Sequence, residues 1–173
     1  MVAAASRAGT TTQVSMKEVF TLPSMPVRLV VEGGPWRGLP RVLVERRARA
    51  MLAALGIPDA EWSIVLTGDE RVRELNRVYR KKDKPTDVLA FPQDDSALIG
   101  DVVVSVPTAA RQAAAAGHAL AAEVTMLLAH GLLHLRGWDH DTVAKDRRMR
   151  AETGRLCKVA ERAFRLRSLK SRW

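Results

Sequence analysis

The chain is expected to fold as an α+β domain, with one small mixed sheet of about four strands, about five helices packed around it, and a buried central helix. Three observations carry that expectation. Short β-branched runs alternate with longer segments whose apolar residues recur at helical spacing. The stretch from Leu120 to Leu135 is apolar on almost every side, as a helix enclosed by its own domain would be. A length of 173 residues suits one sizeable core rather than two.

Residues 1–24 read as a flexible leader that is small, polar and free of a hydrophobic signal core, ending near Pro23 and Pro26. The domain then occupies 25–167, and 168–173 is a basic tail. Val27 to Glu32 is a β-branched strand, broken by Gly33-Gly34-Pro35. From Leu39 to Leu55, Val44, Ala48, Met51, Leu52 and Leu55 recur at helical spacing, and Gly56 and Pro58 end that helix. Glu61 to Leu66 alternates as a second strand. Gly68-Asp69 opens a helix to Tyr79, with Val72, Leu75, Val78 and Tyr79 as its buried side.

A polar loop, Arg80 to Asp87, leads into the short strand Val88 to Phe91, stopped by Pro92; Gln93 to Ser96 is loop. Gly100 to Val106 carries a valine run expected to be buried on both faces. Pro107 opens an alanine-rich helix that Gly117 ends, and the central helix Leu120–Leu135 follows. Asp141 or Thr142 caps a last helix whose inner stripe is Met149, Thr153, Leu156, Ala160 and Phe164, before an end that frays from Arg165.

The balance of 47% hydrophobic and 27% charged residues is that of a globular protein, and no apolar run reaches the length of a membrane span. Cys157 is the single cysteine, so an internal disulfide is excluded and a reducing cytoplasm fits. The net charge of +9, with a pI near 10.6, points to a polyanionic partner, either nucleic acid or an acidic membrane surface.

Three of the four histidines lie in His130-Gly131-Leu132-Leu133-His134-Leu135-Arg136-Gly137-Trp138-Asp139-His140. His130 and His134, four apart, project from one helix face. Gly137 can take the left-handed conformation that ends a helix, so the chain turns back and His140 completes a three-histidine site. Three protein ligands with a position left open are the pattern of a catalytic zinc. The spacing is shared with metzincin proteases, but their general-base glutamate is replaced by Gly131, which can carry no proton. Asp139 and Asp101 are candidates for orienting a histidine, with capping or exposed roles equally open. Met149 could floor the metal site, although it falls on its helix's core stripe. Trp36, Trp62 and Trp138 are expected to pack rather than to stack on bases.

A second constellation runs from Asn76 through Tyr79-Arg80 to Pro85-Thr86-Asp87-Val88-Leu89-Ala90-Phe91-Pro92. Together with Leu98-Ile99-Gly100-Asp101-Val102-Val103 and the histidine segment, it resembles the YbeY family of bacterial endoribonucleases over roughly Val27 to Phe164. The resemblance implies a zinc-dependent hydrolase, with one ion per chain, that cleaves single-stranded RNA. It also implies a part in maturing the 3′ end of small-subunit ribosomal RNA and in ribosome quality control. His130, His134 and His140 match the family's zinc ligands, and Arg80 its functional arginine. Ala90 stands where the family usually has serine, and Lys145, Arg147, Arg148 and Arg150 follow the third histidine where the family is more acidic. Two other readings stand beside this one. One is a metalloprotease-like hydrolase, against which Gly131 and the charge argue; the other is a ribosome-associated RNA-binding factor whose zinc is structural.

Overall fold

The computed structural model describes residues 26–93 and 98–170, with side chains as far as residue 163. The expected leader, all of the 93–96 loop but Gln93, the side chain of Phe164 and the last three residues lie outside that description. The element order is β1 (Val27–Val31), α1 (Arg41–Ala54), β2 (Glu61–Thr67), α2 (Asp69–Arg80), β3 (Val88–Pro92), β4 (Leu98–Ser105), α3 (Val106–Ala116), α4 (Leu120–Leu135) and α5 (Val143–Lys170). The expected α+β architecture is present, with one four-stranded sheet in the order β1-β2-β4-β3. β1, β2 and β4 run parallel and β3 pairs antiparallel with β4, so the sheet is mixed and β3 lies at its edge.

The alternation of side chains along each strand divides the sheet into two unequal faces. Trp62, Ile64, Leu66, Val102 and Val104 point into the main core, which α1, α4 and α5 close with residues such as Met51, Leu128, Leu132 and Leu156. Val103 and Leu89 point the other way and meet Val72 of α2. The valine run of β4 is therefore buried on both faces, as its composition implies.

Two expectations are corrected. Val78 and Tyr79 are exposed, at 45% and 66%, rather than part of the buried side of α2. α2 covers the minor face with a narrow stripe of Val72 and Asn76, and Tyr79 rests edge-on against Phe91 at 5.2 Å between ring centres. The end expected to fray from Arg165 continues as helical backbone to Lys170, because residues 162–170 contain neither glycine nor proline to stop it. Thr142 does cap α5, its Oγ1 accepting the Lys145 N–H at 3.3 Å.

Candidate metal centre

α4 crosses the sheet with Gly131 against Val102. A Cβ on residue 131 would stand 2.8 Å from Val102 Cγ1, so the helix can lie this close to the strand only because no side chain intervenes. That contact sets the rotation of α4 and turns His130 and His134 away from the core, toward the edge strand β3. Past Leu135 the helix ends through Gly137 at φ 77°, whose N–H donates to the His134 carbonyl at 2.9 Å. The reversed chain delivers His140, whose backbone N–H donates to Asp139 Oδ1 at 2.7 Å.

The three imidazoles converge as the spacing predicts. One nitrogen from each of His130, His134 and His140 lies within 4.8 Å of the others, and the Nε2 atoms of His130 and His134 face each other at 3.2 Å. Two nitrogens held tetrahedrally at the usual zinc–nitrogen length of about 2.0–2.1 Å would stand about 3.3 Å apart, so the spacing fits. The electrostatics fit as well. Burial, reinforced by the neighbouring His134 and His140, pushes the His130 ring below the ordinary histidine range. Burial and His140 do the same to His134, and the charge of Arg80 adds to it. Both rings therefore favour the neutral state that offers a lone pair to a cation.

The three rings and Arg80 line one cavity of about 690 Å³, with Asp87, Val88 and Ala90 along its β3 side. Arg80 is the last residue of α2 and is exposed, and Lys81 turns the chain out of the helix in the left-handed conformation, φ 56°. Buried Asn76 holds this corner: its carbonyl accepts the Lys82 N–H at 3.2 Å, and its Nδ2 donates to the Lys84 carbonyl at 2.8 Å. The charged loop is further pinned by a two-pronged pair, Arg73 Nε to Asp83 Oδ1 at 2.7 Å and Arg73 NH2 to Oδ2 at 3.2 Å. Asp87 Oδ1 accepts its neighbour's N–H, from Val88 at 2.8 Å, while Oδ2 accepts from Gln112 Nε2 at 3.0 Å.

Neither candidate orienting carboxylate reaches a ring. Asp139 caps the backbone of His140, and Asp101 Oδ2 accepts from Gln93 Nε2 at 2.9 Å, away from the histidine cavity. Met149 is 1% exposed within the main core and does not line the cavity. Trp62 is fully buried and Trp36 packs against the core; Trp138 carries Arg148 over its ring, 4.7 Å from the centroid. Sequence reasoning missed the Asp87–Gln112 link and a pair between His118 Nε2 and buried Glu123 Oε2 at 3.0 Å. The five-residue spacing of the latter within a helix-opening segment gives no signal in advance.

Comparison with known proteins adds to this geometry. A family model described as Endoribonuclease YbeY matches residues 41–161. Endoribonuclease YbeY of Anaeromyxobacter sp. (strain Fw109-5) is 49% identical over 139 residues, 78% of this chain and 72% of that protein. The protein of the same name from Geobacter metallireducens is 40% identical over 134 residues, covering 72% and 88% of the two chains. In fold, the chain is similar to a Thermotoga maritima protein solved in solution, with a TM-score of 0.60 and 24% identity over 82% of this chain and 93% of that one.

Proposed function

The chain belongs to the YbeY endoribonuclease family, and from that premise we propose that it is a zinc-dependent endoribonuclease that cuts single-stranded RNA. The same reading assigns it to maturation of the 3′ end of small-subunit ribosomal RNA and to ribosome quality control, in the cytoplasm and in contact with the small subunit. The observation that carries the reading is a set of three imidazole nitrogens within 4.8 Å in a cavity that also takes in Arg80. His130, His134 and His140 would hold one zinc ion. Such an ion supplies Lewis-acid charge to a phosphoryl oxygen and makes water a better nucleophile near neutral pH.

The chain's own residues contribute the rest. Cleavage of a phosphodiester concentrates negative charge on the non-bridging oxygens as the bond to the leaving oxygen breaks. A guanidinium is always protonated and presents paired donors, so Arg80 binds those oxygens most strongly when they carry most charge. Asn76 and Lys81 fix the corner from which Arg80 reaches. The net charge of +9 draws in the polyanion and makes its binding depend on salt. Gly131 argues against peptide hydrolysis, since the position of a protease's base has no room even for a methyl group.

The test is cleavage of a labelled RNA spanning the 3′ end of small-subunit ribosomal RNA. Zinc-loaded wild type, metal-stripped protein and Arg80→Ala are run together, each with its folding checked. Wild type alone should cut at full rate, with Arg80→Ala slower by about 10²–10³-fold, as for loss of one transition-state donor. If all three bind RNA and none cuts, the chain is a binding factor and not a nuclease.

A further inference from the structure

A second cavity, of about 650 Å³, opens between α4 and α5 directly beside the metal centre, and Asp87, Val88 and His130 line both spaces. One wall is the α4 face of Ala122, Met126 and His130, at four-residue steps; the other is the α5 face of Thr153, Gly154 and Cys157. From His130 back to Ala122 the groove follows α4 for about 12 Å, at 1.5 Å per residue. Three features mark it as unfilled rather than as a packing defect. Met126 is 40% exposed on a mostly buried helix. A Cβ on Gly154 would meet nothing within 4 Å. Thr153 is 8% exposed, yet its Oγ1 has no hydrogen-bond partner among the described residues.

Resting on the ribonuclease reading above, we propose that this groove takes the base of a nucleotide next to the scissile phosphate, unstacked from its neighbours. A strand whose phosphate sits between Arg80 and the histidines has the adjoining nucleoside at the His130 end of the groove. The side chains of Val88 and Met126 offer apolar surface to the ring faces, which every base can use. His118, which lines the groove and is paired with buried Glu123, offers a polar group to the ring edge. Arg150, 80% exposed at the rim and paired with Asp146 at 2.9 Å, adds positive charge beside the adjoining phosphate. The volume lies within the range of small-ligand sites. The groove also supplies a physical reason for single-strand preference, because a base inside a duplex must leave its stack to enter.

The test is a double-mutant cycle on binding. Short single-stranded RNAs, each with one abasic position across the cleavage site, are titrated by anisotropy against metal-stripped wild type and Gly154→Leu. A leucine at 154 projects into open groove space and improves helix propensity, and Ala122→Leu blocks the opposite wall as a second variant. One abasic position should weaken wild type by roughly 5- to 150-fold, the usual worth of a stacked base, and each blocked variant by less than twofold. The intact RNA should bind each blocked variant correspondingly less tightly than wild type. The idea is overturned if no abasic position matters, or if the abasic loss is equally large in the blocked variants. It is also overturned if both variants bind and cut intact RNA like wild type, which would leave the groove to a protein segment. Cleavage by zinc-loaded wild type is scored separately. Abasic-sensitive binding without cleavage would sink the nuclease reading while leaving the base site standing.

Discussion

Gly131→Ala should lower stability even though alanine is the best helix former and glycine among the worst. In an open helix interior the change would gain about 1 kcal/mol. Here the new Cβ would stand 2.8 Å from Cγ1 and 3.0 Å from Cγ2 of Val102, a β-branched side chain that is fully buried. Val102 has little rotamer freedom with which to yield, and overpacking of this kind costs about 1–3 kcal/mol. The net effect runs from near zero to about 2 kcal/mol of destabilisation. Removing the obstacle makes the reasoning sharper. In a Val102→Ala background the clash is gone, so Gly131→Ala should now stabilise by up to about 1 kcal/mol. Urea unfolding of the four proteins, all metal-stripped, measures both steps as midpoint shifts at constant slope. The reasoning fails if Gly131→Ala stabilises the wild-type background by the full propensity gain, or has the same effect in both backgrounds. A companion substitution, Gly131→Glu, restores the protease base in sequence but should prevent folding rather than create a peptidase.

Zinc added to stripped protein should raise the melting temperature, since a ligand at 100 times its Kd stabilises by about 2.7 kcal/mol; an equal rise in His134→Ala would place the ion elsewhere. Cys157 should be slow to alkylate: burial, reinforced by Glu161 and opposed by Arg47, pushes its thiol up to about 11. At pH 8 iodoacetamide should therefore modify native protein roughly two hundredfold more slowly than urea-unfolded protein, whose thiol lies near the ordinary 8.5; equal rates would show that the thiol is not held down. Burial alone would raise the Asp69 carboxyl, but hydrogen bonds from Ser105, Thr108 at 2.7 Å and Arg111 at 2.9 Å outweigh it and hold the group below the usual carboxylate range. Its folded pKa being depressed, its contribution to stability is full above the unfolded value near 3.9 and is lost as pH falls through the folded one. Asp69→Asn should thus flatten the acid limb of the stability profile below about pH 4, and an unchanged limb would discount the network.

What could be read in the sequence was what repeats or punctuates locally. α4 was legible to the residue because Leu120–Leu135 is apolar on almost every side and Gly137 stops it. The histidine cluster followed from helical spacing and one turn. Val78 and Tyr79 misled because period alone cannot show how wide a buried stripe its neighbours need: α2 packs on the minor face alone, so Val72 and Asn76 suffice. Asp101 looked available as a second carboxylate, but strand alternation turns it from the face that Val102 shares with α4. The groove between α4 and α5 was invisible for a different reason. It depends on what two helix faces, with lining residues 20 or more positions apart in the chain, leave empty, and a glycine and an alanine on facing surfaces carry no pattern.

The meeting of Arg80 with the histidines, fifty or more residues away in the chain, depends on the direction and place of one short strand. β3 pairs antiparallel at the sheet's edge, Val88 opposite Val104 and Pro92 opposite Gly100. Among the described residues its outer side therefore has no further strand, and α4, packed on β4 through Gly131, overhangs it. Side chains there are only part-buried, which would suit imidazoles that, as proposed, hold a metal ion in their neutral form and stay open to a substrate. Had β3 been an inner strand, the same histidines would face another strand's side chains and no phosphate could reach them. The antiparallel pairing also brings Asp87, at the entry to β3, onto Ser105, whose N–H donates to the Asp87 carbonyl at 2.8 Å. That bond fixes the end of the loop that begins at Arg80. The openness of the cavity and the placement of the guanidinium are thus two consequences of the same edge.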